Sequence, residues 1–169
     1  VRCNHSSFRH AAAFEYQGPA STLTRQFKYS GRVHLAEAMA GYMAVQFFRV
    51  DWPLPDLIVP VPLSFSHFMT RGYNQSQLLA EQLGKILNRP VASVLKRRSG
   101  DFSQSGLDKQ LRQKLLSHSF SLKKKTDLSD KIILLIDDVA TTKTTLSHCV
   151  SLLQDAYPAK IYALTFCIA

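Results

Sequence analysis

Cysteine is scarce in this chain: Cys3, Cys149 and Cys167 are widely spaced and odd in number. That pattern excludes a disulfide framework and predicts a reducing, cytoplasmic setting. Long apolar runs are missing too. None could span a bilayer and no signal-peptide pattern opens the chain, so membrane insertion is not expected. Acidic residues are few, 12 against 21 Lys plus Arg, for a net charge of +9. This imbalance favours anionic partners, either phosphorylated small molecules or nucleic acid. A soluble basic surface is the plainer alternative, and charge alone does not decide between them. There is no internal repeat and no long low-complexity segment. No Cys–His or Ser–His–Asp arrangement stands out; His67, His118 and His148 are isolated and read as structural or surface residues.

What is present is a chain of 169 residues with 46% apolar content, enough for one domain with a proper core. "AAAFEYQG" reads as a strand. "PASTLTRQFKYSG" and "VHLAEAMAGYMAVQFF" have helical spacing and are separated by Gly31. Leu57 to Val59 form a short strand that Pro60 and Pro62 stop. "QSQLLAEQLGKILN" predicts an amphipathic helix with Leu78, Leu79, Leu83, Ile86 and Leu87 on one side. "VASVL" reads as a strand, "LDKQLRQKLL" as a basic helix and "KKKTDLSD" as a polar linker. A helix from about Thr144 and a last strand, "KIYALTFCIA", close the chain. Alternation of strands and helices predicts an α/β fold, a mostly parallel central sheet with helices on both faces.

The most informative stretch is "KIILLIDDVATTKTTLSHCV", residues 131–150. Ile132 to Ile136 are aliphatic without interruption, as in a central strand buried on both faces. Asp137 and Asp138 follow at the strand's carboxyl end, where ligands bind in such sheets. Carboxylates only accept hydrogen bonds, so vicinal sugar hydroxyls are natural partners. Ala140, Thr141, Thr142, Lys143, Thr144 and Thr145 then run into a helix N-terminus, whose free N–H groups and dipole favour a phosphate. A helix cap also uses Asp or Thr, but it needs one such residue, not an acidic pair with four threonines. Together these residues predict a ribose 5-phosphate site.

"ILLIDDVATTKTTL" resembles the phosphoribosyl-pyrophosphate loop of type I phosphoribosyltransferases. The upstream "IVPVPLSFSHFMTRGYNQSQLLAEQL" is similar to the ComF family of competence-associated proteins, also known as GntX. "FKYSGR" and the spacing of Arg98, Gln104, Leu107, Arg112 and Phe120 are family-like as well, so the resemblance covers nearly the whole chain. It implies a type I phosphoribosyltransferase-like fold, with residues 1–50 as a small N-terminal hood of the same domain and residues 51–169 as the core. It further implies phosphoribosyl pyrophosphate as ligand, Mg²⁺ as cofactor and transfer to an unknown nitrogen acceptor. Asp137 and Asp138 would be the catalytic pair. Arg71 and Gly72 would bind pyrophosphate, through bidentate bonds and close backbone approach. Tyr73 and Asn74 are expected to shape that loop and cap the next helix. Lys28 and Arg32 either face the ligand or lie on a solvated surface.

The resemblance also implies a place in DNA uptake, with the competence machinery and single-stranded DNA as partners. The basic clusters, Leu95 to Arg98, Arg112, Lys114 and Lys123 to Lys125, have only Phe102 and Phe120 nearby. They therefore read as solvated linkers rather than a dedicated DNA groove. The alternative to an enzyme is a non-catalytic phosphate- and DNA-binding module. Two departures lend it weight. Family members usually begin with a four-cysteine zinc ribbon; here Cys3, His5 and His10 lack paired-cysteine spacing, and no zinc is expected in this chain. The family loop usually has Gly where this chain has Lys143.

Lysine in a left-handed or closely approached backbone costs about 1–3 kcal/mol. An ammonium–phosphate contact returns about 1.5–3 kcal/mol. Thr144 and Thr145 can start the helix in ordinary geometry, so the strain should be small. Lys143→Gly is expected to leave the melting temperature nearly unchanged and to weaken binding of phosphate, read by calorimetric titration. Tighter binding with recovered turnover would reverse that expectation.

Overall fold

The computed structural model describes residues 2–4, 8–97, 119–124, 126–141 and 144–169. The elements run β1 (Arg2–Asn4), β2 (Arg9–Glu15), α1 (Gly18–Tyr29), α2 (Leu35–Arg49), β3 (Leu57–Pro60), α3 (Phe65–Arg71), α4 (Gln75–Leu87), β4 (Leu95–Arg97), β5 (Phe120–Leu122), β6 (Ile132–Ala140), α5 (Thr144–Gln154) and β7 (Lys160–Ile168). The main sheet has the order β1-β2-β7-β6-β3. β2, β7, β6 and β3 are parallel, and β1 adds an antiparallel edge. β4 and β5 form a separate antiparallel ribbon. The predicted α/β architecture is therefore the observed one.

Alternation along β6 divides the core in two. Leu134 and Ile136 join a cluster with Phe27 of α1, Met39, Met43 and Phe47 of α2, and Leu79 and Leu83 of α4. Ile133 and Leu135 join the other, with Leu146, Cys149, Val150 and Leu153 of α5 and with Leu95 and Phe120 of the ribbon. Residues 133–136 are fully buried. A strand covered on both faces must be apolar at every position, which is the reason for the unbroken aliphatic run.

Several elements differ from expectation. α3 was not anticipated, because "SFSHFMTR" buries no residue and so carries no apolar period. Ser64 caps it, and Gly72 ends it in the left-handed region at φ 79°. "VASVL" contributes only a parallel bridge from Val91 to Ile58, and the regular strand starts at Leu95. On α4 the buried face is Leu79, Ala80, Leu83, Gly84 and Leu87, while Ile86 is exposed. The basic helix "LDKQLRQKLL", together with Arg98, Gln104, Leu107, Arg112, Lys114, Lys125, His5, Phe102 and His118, lies outside the described residues. No described helix is long and apolar enough to cross a membrane.

Gly84 marks where α4 meets the segment bridged to β3. A Cβ there would sit 2.6 Å from Val91 Cγ2 and 3.0 Å from the Arg89 carbonyl. Overpacking of this kind costs about 1–3 kcal/mol, more than the ~1 kcal/mol of helix propensity that alanine gains over glycine. Gly84→Ala should thus lower the midpoint of a denaturant melt, and Val91→Ala in the same chain should recover part of the loss. An unchanged or raised midpoint would contradict the close approach.

Candidate functional site

Strand β6 delivers two adjacent carboxylates to the carboxyl end of the sheet, and each meets a different partner. Ser76, in the first turn of α4, donates its hydroxyl to Asp137 Oδ1 at 2.8 Å. The Asp138 backbone N–H donates to the same oxygen at 2.9 Å. Asp138, 7% exposed, pairs instead with Lys28 from the last turn of α1, Nζ to Oδ2 3.1 Å. Its other oxygen accepts from the Val139 N–H at 2.7 Å. Of the two readings open for Lys28, its place is therefore beside the acidic pair. Arg32 lies on the surface, donating to Gln26 Oε1 at 3.2 Å.

Burial and the neighbouring Asp138 carboxylate raise Asp137 to about 7, against the opposing pull of Ser76, the Asp138 N–H and Lys28. Desolvation dominates because β6 enters the site from a dry core.

The end of α3 and the turn after it supply the next group. Arg71 donates to Gln75 Oε1 at 3.2 Å and stacks over the Tyr29 ring at 5.2 Å. The Gln75 amide nitrogen is buried without a hydrogen-bond partner among the described residues, a spare donor on the side chain that holds Arg71. Gly72 caps α3, and open space lies where its Cβ would be. Asn74 caps α4 by accepting from the Ser76 N–H at 3.1 Å, and it donates to the Val61 carbonyl at 3.0 Å. Tyr73 donates its hydroxyl to the Phe27 carbonyl and packs against the Phe27 ring. Both residues thus do the shaping and capping work expected of them.

His67 on α3 is held below its ordinary value by partial burial and then by Arg71, Arg97 and Lys28. Cations from β4, α3 and α1 therefore share one end of the molecule with the acidic pair.

Ala140 ends β6 buried, Thr141 follows exposed, and Thr144 and Thr145 open α5 half-buried. Thr142 and Lys143 lie outside the described residues. Sequence reasoning missed Ser76, Gln75 and Arg97. A serine and a glutamine at a helix start look like ordinary caps. Arg97 was read only as part of a basic run. Burial distinguishes Gln75 and Ser76, and Arg97 is marked by its half-buried place over the Phe120 ring. The two described cysteines outside β1, Cys149 and Cys167, are free and buried, and desolvation pushes both thiols up.

No protein-family profile matches the chain. Among curated proteins it is similar to competence protein F of Haemophilus influenzae, 34% identical over 145 residues, covering 82% of this chain and 63% of that protein. It is 30% identical over 158 residues to the DNA utilization protein YhgH of Salmonella typhi, covering 90% of this chain and 69% of that one. Competence protein ComFC of Bacillus subtilis is 31% identical over 145 residues, 85% of this chain and 57% of the relative. The chain thus spans less than two thirds of competence protein F and of ComFC. Among solved structures it resembles glutamine phosphoribosylpyrophosphate amidotransferase from B. subtilis, with TM-score 0.55 and 15% identity over 85% of this chain and 30% of that one. An allosteric regulatory enzyme of purine biosynthesis gives TM-score 0.53 at 16% identity, with the same coverage. These two likenesses concern the fold.

The raised Asp137 has a consequence for stability. Between about pH 4 and 7 the folded chain binds a proton there that the unfolded chain has released, so this contribution is complete at low pH and lost as pH rises through about 7. Asp137→Asn is neutral throughout and keeps the Oδ1 acceptor for Ser76 and the Asp138 N–H. In the ligand-free protein it should melt above wild type at pH 8. A gain on the order of 1 kcal/mol corresponds to about 2–4 °C for a domain of this size. The gap should narrow toward pH 5. A gap that is constant with pH would contradict a half-buried, proton-binding Asp137.

Proposed function

The chain belongs to the ComF family of competence proteins and has a type I phosphoribosyltransferase-like fold; from that premise we propose that it binds phosphoribosyl pyrophosphate and transfers the phosphoribosyl group to a nitrogen acceptor. The observation that carries this reading is the pair of adjacent carboxylates near the carboxyl end of β6, Asp138 buried and Asp137 half-buried, on the strand that leads toward the α5 N-terminus.

In this reading the ribose hydroxyls donate to Asp137 and Asp138, and the Lys28 ammonium, now on Asp138, shares or yields that carboxylate. The 5-phosphate takes the backbone from Ala140 through Thr145, with the Thr141, Thr142, Thr144 and Thr145 hydroxyls and the Lys143 ammonium as further donors. Arg71 and the Gly72 backbone hold the pyrophosphate, with the spare amide of Gln75 beside Arg71. During transfer the C1–O bond breaks and pyrophosphate leaves with its electron pair. The acceptor nitrogen's lone pair forms the C1–N bond, and its proton passes to solvent. Positive charge that develops at C1 is stabilised by the two carboxylates, which are already fixed by Ser76, Lys28 and backbone N–H groups.

Among the described residues no three His, Cys, Asp or Glu side chains cluster into a metal cage. The oxygen donors of Asp137 and Asp138 suit Mg²⁺, a hard cation that keeps waters and binds mainly through substrate phosphates. Asp137 and Asp138 are the carboxylates it would meet, and when bound it supplies charge neutralisation for pyrophosphate. A role within DNA uptake, including contact with single-stranded DNA, belongs to the proposal as well.

Asp137→Asn combined with Asp138→Asn should abolish binding of phosphoribosyl pyrophosphate with Mg²⁺ in a calorimetric titration while a cooperative melt persists. Binding as tight as wild type would sink the ribose assignment. Loss of the cooperative melt would assign the pair a structural role instead.

A further inference from the structure

A cleft of about 280 Å³ opens beside the carboxyl end of β3, apart from the acidic pair, and Arg97 reaches into it. Its apolar wall includes Leu63 and the rings of Phe65 and Phe68, which are 62% and 46% exposed. Exposed aromatic rings on a seven-residue helix that buries no residue serve no packing purpose within the described fold. Two of the cleft's polar residues are already engaged. Asn74 uses its carbonyl for the Ser76 N–H and its amide for the Val61 carbonyl. The Ser93 hydroxyl donates to Gln77 Oε1 at 2.6 Å.

Arg97 is different. Its guanidinium stacks over the Phe120 ring at 5.1 Å, so one face is fixed and the edge is presented. Among the described residues no carboxylate lies within ion-pairing distance of it. Burial lowers its pKa, and Asp137 and Cys149 act against that. A half-buried guanidinium fork with no carboxylate partner among the described residues, facing aromatic walls, suits a ligand with a flat body and one planar anionic edge. The volume admits one ring and leaves little space for a nucleotide.

We propose that the Arg97 cleft binds a single aromatic or heteroaromatic ring bearing a carboxylate, with the carboxylate on the Arg97 guanidinium and the ring against Phe65 and Phe68. As the seat of the nitrogen acceptor, this inference rests on the phosphoribosyl reading above; as a binding site, it does not. Asn74 lines the cleft and caps the helix whose Ser76 holds Asp137, which ties the cleft to the ribose-binding end of β6.

The test is a titration of the full chain, followed by two-dimensional NMR, with benzoate, nicotinate and orotate, the matching ring amides and inorganic phosphate. At least one ring carboxylate should bind saturably, about tenfold or more tighter than its amide, a difference of ~1.4 kcal/mol. Arg97→Gln should erase that preference, and Phe68→Ala should weaken acid and amide alike. Phosphoribosyl pyrophosphate with Mg²⁺, titrated into the same samples, should still bind the Arg97→Gln chain. The cleft assignment is overturned if no ring carboxylate outcompetes its amide, if Arg97→Gln and Phe68→Ala both bind as wild type does, or if inorganic phosphate displaces the ring at equal concentration. Loss of phosphoribosyl pyrophosphate binding in wild type, with ring binding intact, would instead remove the functional reading and leave the cleft standing.

Discussion

Burial of β6 on both faces is the constraint from which the rest of the molecule follows. Ile133, Leu134, Leu135 and Ile136 leave no polar position inside the sheet, and the chain turns polar only at Asp137. Two carboxylates placed at the rim of so dry a strand cannot be solvated from below. They require donors from other elements, and those donors define the site. Ser76 comes from α4, Lys28 from α1, and the β6 backbone supplies its own N–H groups. The same desolvation that makes the pair costly to hold ionised also gives it leverage over a cation that develops nearby.

The charges at this end of the sheet are arranged by sign and by depth. The acids sit near the carboxyl end of β6, close to the core, and the cations stand around them on separate elements: Lys28 on α1, Arg71 at the end of α3 and Arg97 on β4. Among the described residues only Lys28 is spent on an acid at ion-pair distance. Arg71 and Arg97 are held by rings, Tyr29 and Phe120, which orient a guanidinium without neutralising it. An arginine stacked on a ring, with no carboxylate at ion-pair distance among the described residues, is available to an anionic ligand. Part of the +9 excess in the whole chain thus gathers at this end of the sheet.

Individual elements show why some of this could be read in advance. β6, α4 and β7 were legible because burial imposes a period, or the absence of one, on their residues. The cap role of Asn74 was legible because capping is local in sequence. α3 was invisible: a helix without a buried face has no apolar pattern. The strand near Val91 was overstated, since Pro90 and an isolated bridge replace a regular ladder. Ser76 and Arg97 carry no local signature at all. Their importance comes from contacts across long sequence separation, Ser76 to Asp137 and Arg97 to Phe120.

By itself, then, the sequence determined the fold class, the place of Asp137 and Asp138 toward the carboxyl end of a central strand, which runs on to Ala140 rather than stopping at Ile136, the approach to a helix N-terminus through the threonines, and the family likeness. All of these are encoded in contiguous residues, because hydrophobic period and strand-to-helix punctuation are local properties. Only the tertiary structure decided that Lys28 rather than Arg32 reaches the acids, that Ser76 anchors Asp137, and that Arg97 enters a cleft instead of a solvated basic run. Those outcomes depend on which elements stack above the sheet's carboxyl edge and on how much water they exclude. That is a matter of packing geometry among α1, α4 and β4, segments tens of residues away from β6 along the chain.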